Sequence, residues 1–166
     1  MNQHCFKITP MDREASRAII EWRYPPPYDL YNIVTEDTEV VISAFLDPDF
    51  GYYKITNEEA KLVAFCNFGL DARVPGGDYS VEALDIGMGV HPDLTGKGSG
   101  QIYAQYVLDY AEKIYHPDIY RVTIAAFNER AQKVWVRTGF SLTQRFKRSL
   151  DGKDFMIFTR WRAEID

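Results

Sequence analysis

The residues best able to do chemistry lie between Asp85 and Gly100, where a carboxylate, a Val90-His91-Pro92 turn and alternating glycines follow one another. Gly96, Gly98 and Gly100 alternate with Lys97 and Ser99, so backbone can approach a ligand with no Cβ in the way. A helical apolar pattern begins directly afterwards, and the free N–H groups and dipole of a helix N-terminus favour an anion such as a phosphate. The stretch reads as strand, turn, glycine loop and helix, a cradle for a pyrophosphate. It is neither of two common phosphate loops. A P-loop needs Gly-Lys followed by Ser or Thr, but Gly96-Lys97 is followed by Gly98, and the upstream Gly89 stands too far away. The dinucleotide pattern Gly-x-Gly-x-x-Gly fails at Gln101. Glycines alone would also suit a flexible surface turn.

The second half of the chain adds a β-rich run, Tyr120 to Phe127, then Asn128-Glu129-Arg130-Ala131, Trp135 and Gly139-Phe140. Together with Val90-His91-Pro92 and Thr95 to Gly100, these segments resemble the GNAT superfamily, the N-acyltransferases that use acyl-coenzyme A. Its pattern is a strand ending in Val-x-Pro, a loop of form Arg/Gln-x-x-Gly-x-Gly/Ala and a helix. Later come Asn-x-x-Ala, an aromatic residue four beyond the alanine, and Gly-Phe. Thr95 departs from the loop's usual Arg or Gln. The resemblance implies acetyl-coenzyme A as co-substrate, with the loop N–H groups of Thr95, Gly96, Lys97, Gly98, Ser99 and Gly100 around its pyrophosphate. It implies that backbone at Met88, Gly89 and Val90 polarises the thioester carbonyl, and that Asn128 touches the coenzyme arm while capping a helix. Gly87 and Gly89 are expected to let the strand bulge and the pantetheine lie beside it.

Acyl transfer to an amine needs a general base near the acceptor, which the resemblance places on the strand before the loop. Asp85 sits in a tight apolar run where an unpaired carboxylate is costly, so it is read as base or acceptor anchor. The alternative is a structural partner to a buried Arg or backbone N–H. Glu82 is the second candidate base. Tyr24, Tyr28 and Tyr31, set around Pro25-Pro26-Pro27, are read as walls of the acceptor pocket, against a rigid loop whose rings merely pack on the sheet. Trp135 stands where the family often has a tyrosine acid, and an indole cannot give up a proton at neutral pH. Either coenzyme leaves without that acid, or Tyr103, Tyr106 or a water replaces it. His91, His4 and His116 show no metal-ligand spacing, and no metal is expected.

The length of 166 residues suits a single domain, 1–166. A net charge of −5 argues against a broad nucleic-acid surface. The longest strongly apolar run, Val40 to Leu46, is far below a membrane span. The N-terminal residues lack a signal pattern, so a cytoplasmic protein, monomer or homodimer, is expected. Cys5 and Cys66 are read as buried free thiols.

The elements that must position these groups follow from spacing. A first strand covers Cys5 to Ile8, and Thr9-Pro10 signals a helix start before the stripe Ala15, Ala18, Ile19 and Trp22. That helix stops before Pro25. A short helix, Thr38 to Leu46, precedes strands Tyr52 to Thr56, Lys61 to Phe68 and Glu82 to Val90, with a mobile loop from Asp71 to Ser80. Ile102, Tyr103, Tyr106, Val107, Tyr110, Ala111 and Ile114 form a helical face. Strand Tyr120 to Phe127, a helix capped by Asn128, and an antiparallel pair, Phe140 to Lys147 and Asp154 to Trp161, complete the chain. The expected fold is α/β, a GNAT-like mixed, mostly antiparallel sheet of roughly six or seven strands flanked by about four helices. The expected function is N-acetyl transfer from acetyl-coenzyme A to a primary amine of a small molecule or peptide. The alternative is an acyl-coenzyme A-binding sensor or interaction module with little turnover.

Overall fold

In the computed structural model, which describes residues 4–163, chain order gives β1 (Lys7–Pro10), α1 (Arg13–Glu21), α2 (Thr38–Leu46), β2 (Tyr52–Thr56), β3 (Leu62–Phe68) and β4 (Leu84–Val90). Then follow α3 (Gly100–Tyr115), β5 (Ile119–Ala125), α4 (Glu129–Arg137), β6 (Ser141–Lys147) and β7 (Asp154–Trp161). The strands form one seven-stranded sheet in the order β1-β2-β3-β4-β5-β7-β6. All neighbours are antiparallel except β4 and β5, which pair in parallel through Leu84↔Tyr120, Asp85↔Arg121 and Ile86↔Val122 alone.

Period-two alternation divides the strands between two faces. Cys66, Ile86, Val122, Ile124 and Phe158 pack with Ala104, Val107, Leu108 and Ala111 of α3 and Trp135 of α4 in the main core. On the opposite face α1 and α2 bring Ile19, Trp22, Ile42 and Phe45 against Tyr52 and Phe65. Beyond them the segment after β3 covers the sheet, and it is anchored rather than mobile as expected. The Tyr79 hydroxyl lies 2.9 Å from Thr123 Oγ1, and its ring sits beneath the guanidinium groups of Arg73 and Arg121.

Local differences have physical causes. β1 runs on to Pro10, which pairs with Tyr53 on the edge strand, where a missing N–H is tolerated. Asp12, not Thr9, therefore caps α1, accepting the Ala15 N–H at 2.8 Å and pairing with Lys54. On α3, Ala104 and Leu108 are buried while Ile114 is exposed. Cys66 is buried, which pushes its thiol pKa up, whereas Cys5 is exposed. No described helix is long and apolar enough to cross a membrane. Among the described residues no group of three or more His, Cys, Asp or Glu is placed to hold a metal.

Candidate active site

The parallel ladder ends at Ile86/Val122, and beyond it β4 and β5 part. Asp85 O accepts the Gly69 N–H at 2.9 Å, and the His91 N–H donates to Val63 O at 2.8 Å, so odd-numbered backbone groups of β4 face β3. Backbone groups alternate between the two edges of a strand. The N–H groups of Met88 and Val90 therefore point into the wedge between β4 and β5, whereas that of Gly89 does not. The glycines also differ from expectation. The β3–β4 register is continuous from Ala64↔Val90 to Phe68↔Ile86, with no bulge. A Cβ on Gly87 would overlap Asn67 Oδ1, and one on Gly89 would overlap the Phe65 ring. Both glycines make room for cross-strand side chains on the α1–α2 face.

At the mouth of the wedge, Gly96 (φ +71) and Gly98 (φ +81) adopt the left-handed conformation that glycine tolerates. Among the described residues, the N–H groups of Gly96 through Gln101 meet no protein acceptor. Thr95 lies outside this cradle, because its N–H and hydroxyl both donate to Pro92 O, at 3.4 and 2.8 Å. Ser99 occupies the α3 cap position without a side-chain bond. A Cβ on Gly100 would stand 2.9 Å from Val134, a measure of how closely α4 approaches the start of α3. That approach brings Arg130 Nη1 to 3.1 Å from the Cβ position of Gly96. Arg130, beside the exposed Lys97, is a second cation at the cradle that sequence reasoning passed over. Its signal was present: a cap at Asn128 puts Arg130 in the first turn of α4.

The tyrosine-rich loop crosses from one side of the wedge to the other. The Tyr24 hydroxyl donates to Val90 O at 2.7 Å. The Tyr31 hydroxyl accepts from Asn128 Nδ2 at 3.0 Å, while Asn128 Oδ1 caps α4 by accepting the Ala131 N–H at 3.1 Å. Tyr28 lies 3.7 Å beneath the Arg130 guanidinium, and both Tyr28 and Tyr31 rest on Phe127. Asn32 closes the loop by accepting the Tyr24 N–H at 2.7 Å. Burial lifts the Tyr24 hydroxyl to about 12 and also raises that of Tyr31. These tyrosines thus contact the wedge and the cradle directly.

Neither expected carboxylate base stands free in the wedge. Asp85 is buried, and Arg121 grips it with Nε on Oδ1 at 2.6 Å and Nη2 on Oδ2 at 2.8 Å, while Arg73 Nε adds a bond of 2.8 Å. Its two oxygens accept three bonds from guanidinium groups and its charge is matched, so it rivets β4 to β5 at the vertex of the wedge. Glu82 is exposed and precedes β4. The strand steps from Leu84 to Met88 alone span roughly 13 Å. The aromatic groups weighed around the leaving thiol lie as follows. Trp135 is buried edge-on against Phe140, Tyr103 packs on Phe6, and the Tyr106 hydroxyl donates to His4 O. His91 Nδ1 accepts the Asp93 N–H at 3.1 Å, a structural role.

No curated protein sequence matches the chain. Solved structures share its fold. An acetyltransferase (GNAT family) from Bacillus anthracis matches with a TM-score of 0.73 over 94% of each chain at 18% identity. A chimeric spermidine N-acetyltransferase from Vibrio cholerae and hSSAT matches with a TM-score of 0.69, over 94% of this chain and 95% of that one, at 14% identity. Residues 16–140 match the acetyltransferase (GNAT) family, in the order of wedge, glycine cradle and capped α4 described above, and the chain belongs to that family.

Proposed function

We propose that this protein transfers an acetyl group from acetyl-coenzyme A to a primary amine of a small molecule or peptide by direct attack with general-base assistance. The carrying observation is the run of N–H groups from Gly96 to Gln101 without acceptors, beside a wedge into which Met88 and Val90 direct their own N–H groups. The coenzyme supplies an activated acyl group as a thioester. The loop N–H groups would hold its pyrophosphate, with Lys97 and Arg130 adding positive charge. Met88 N–H is the donor for the acyl carbonyl oxygen, in the manner of an oxyanion hole, and Asn128 Nδ2 is a donor for the pantetheine arm.

In the transfer a nitrogen–carbon bond forms, the carbon–sulfur bond breaks, and the amine sheds a proton to a base on the α1–α2 face. A free thiol has a pKa of roughly 8.5, so a thiolate can leave with hydrogen-bond support alone. Tyr24, neutral at pH 7 like any tyrosine, stands at the wedge and could turn its hydroxyl hydrogen from Val90 O to the departing sulfur. This removes the need for an acid at Trp135. Calorimetric titration with acetyl-coenzyme A, followed by thiol release across a panel of amines, tests the reading. Binding with turnover supports it, and absence of binding refutes it. The burial of Trp135 favours a second reading, a binding module with little turnover; binding without thiol release on any amine would support that one instead.

A further inference from the structure

Among the described residues, Asn67 Nδ2 is the buried side-chain polar atom that has no hydrogen-bond partner. Asn67 is 4% exposed, and an unpaired amide donor at that depth is costly. Its side chain projects over Gly87, where a Cβ would overlap Asn67 Oδ1 and would stand 3.6 Å from the Ala72 side chain. Gly87 is only half-buried although it lies in the middle of a seven-stranded sheet. Next to Ala72, Asp71 is exposed, and its Oδ2 accepts a hydrogen bond from the Tyr52 hydroxyl. Tyr52 is the cross-strand partner of Asn67. Burial and the Asp71 carboxylate raise the Tyr52 pKa, so this hydroxyl remains a donor and orients Asp71. Asp71 has no salt bridge among the described residues.

Resting on the acetyltransferase reading, the geometry points to an acceptor subsite over Gly87 in which Asp71 accepts an N–H of the amine and Asn67 donates to an oxygen of the same molecule. Gly87 adjoins Met88, whose N–H opens into the wedge, so an amine held there lies beside the place of the acyl carbon. As the nitrogen–carbon bond forms, the nitrogen's surplus proton passes to Asp71 and then to water, and coenzyme A departs as thiolate. The preferred substrates are therefore primary amines with a hydroxyl or carbonyl oxygen a few bonds away, rather than plain alkylamines. Asn67 selects the oxygen, and Asp71 positions the nitrogen.

The test uses pairs of similar size: ethanolamine against propylamine, 3-aminopropanol against butylamine, and β-alaninamide against isopentylamine. Wild-type kcat/KM should favour an oxygen-bearing member by about 10-fold or more, because a site built to hydrogen-bond a group rejects its apolar analogue. Asn67→Leu should bring that ratio close to one while leaving acetyl-coenzyme A affinity unchanged. Asp71→Asn should lower kcat/KM for both members about 100-fold or more, through kcat as well as KM, without altering their ratio. If the leucine variant misfolds, Asn67→Ala gives the same readout, since a ratio is insensitive to the active fraction. A ratio unmoved by either Asn67 variant overturns the subsite, as does coenzyme binding with no turnover on any pair; neither result touches coenzyme binding itself. Failure of the wild-type protein to bind acetyl-coenzyme A overturns the underlying reading as well.

Discussion

Replacing Asp85 with asparagine separates a catalytic carboxylate from a structural one. The substitution leaves Arg121, 2% exposed, without its counter-charge at the vertex of the wedge. Arg73, whose side chain is 34% exposed, can turn to solvent, so most of the cost falls on Arg121. Breaking a buried pair by removing one partner costs roughly 3–5 kcal/mol. Arg121 keeps its bond to Val81 O at 2.8 Å and its place against the Tyr79 ring, the latter worth on the order of 1 kcal/mol. The loss should therefore lie near the lower end, about 3 kcal/mol, which for a chain of this size lowers Tm by roughly 6–12 °C. Thermal and urea unfolding measure it. Turnover per folded molecule should fall less than about 10-fold, whereas loss of a general base costs about 100-fold or more. Adding Arg121→Gln should recover part of the stability, because the orphaned charge goes with it. A Tm within about 2 °C of wild type, joined to a hundred-fold loss of turnover, would refute the structural account and restore Asp85 as the base.

Further expectations concern the cradle and the tyrosine loop. Gly98→Val asks a branched residue to hold φ +81, a strain of roughly 1–2 kcal/mol; coenzyme affinity by calorimetry should drop about 10-fold or more, and undiminished affinity would remove the loop from the site. Arg130→Ala should weaken acetyl-coenzyme A binding about 5- to 10-fold at low salt and less at high salt. Acetyl-pantetheine, which lacks the pyrophosphate, should bind both proteins equally, and an equal loss for the two ligands would place Arg130 elsewhere. Tyr24 titrates near 10 in an unfolded chain and at about 12 in the fold, where burial favours the neutral phenol. Its stabilising contribution is complete below pH ~10 and lost as pH rises through the folded value. Unfolding free energy should thus fall more steeply across that alkaline window in wild type than in Tyr24→Phe; parallel slopes would contradict the burial.

Where the chain announces a local device, the sequence was readable. Thr38 to Leu46 is a helix because an apolar run is bounded by Asp37, which caps it, and by Asp47-Pro48. Asn128 both caps α4 and marks the wedge. The misreadings are non-local. Thr9-Pro10 satisfied the rules for a helix start, but the pairing of Pro10 with Tyr53 draws both residues into β1 and leaves the cap to Asp12. The price of a buried Asp85 was visible, yet its partner, Arg121, is met only through the parallel ladder. Gly87 and Gly89 plainly needed space, but the side chains claiming it, Asn67 and Phe65, belong to another strand.

The strand order has a consequence for how the molecule can be divided. The first four strands in the sequence lie side by side, as do the last three, and among the described residues the ladder joining the two groups is the three-residue one between β4 and β5. The exposed Lys97 falls in the chain between them. A break there leaves every antiparallel ladder within a single fragment, and reassembly must restore the seam, the packing of α3 and the contacts of Tyr79 and the tyrosine loop with the second fragment. Because cradle and wedge take residues from both fragments, a coenzyme bound across the seam would favour the rejoined state by mass action. The family's ligand would then act as the clasp of a split protein.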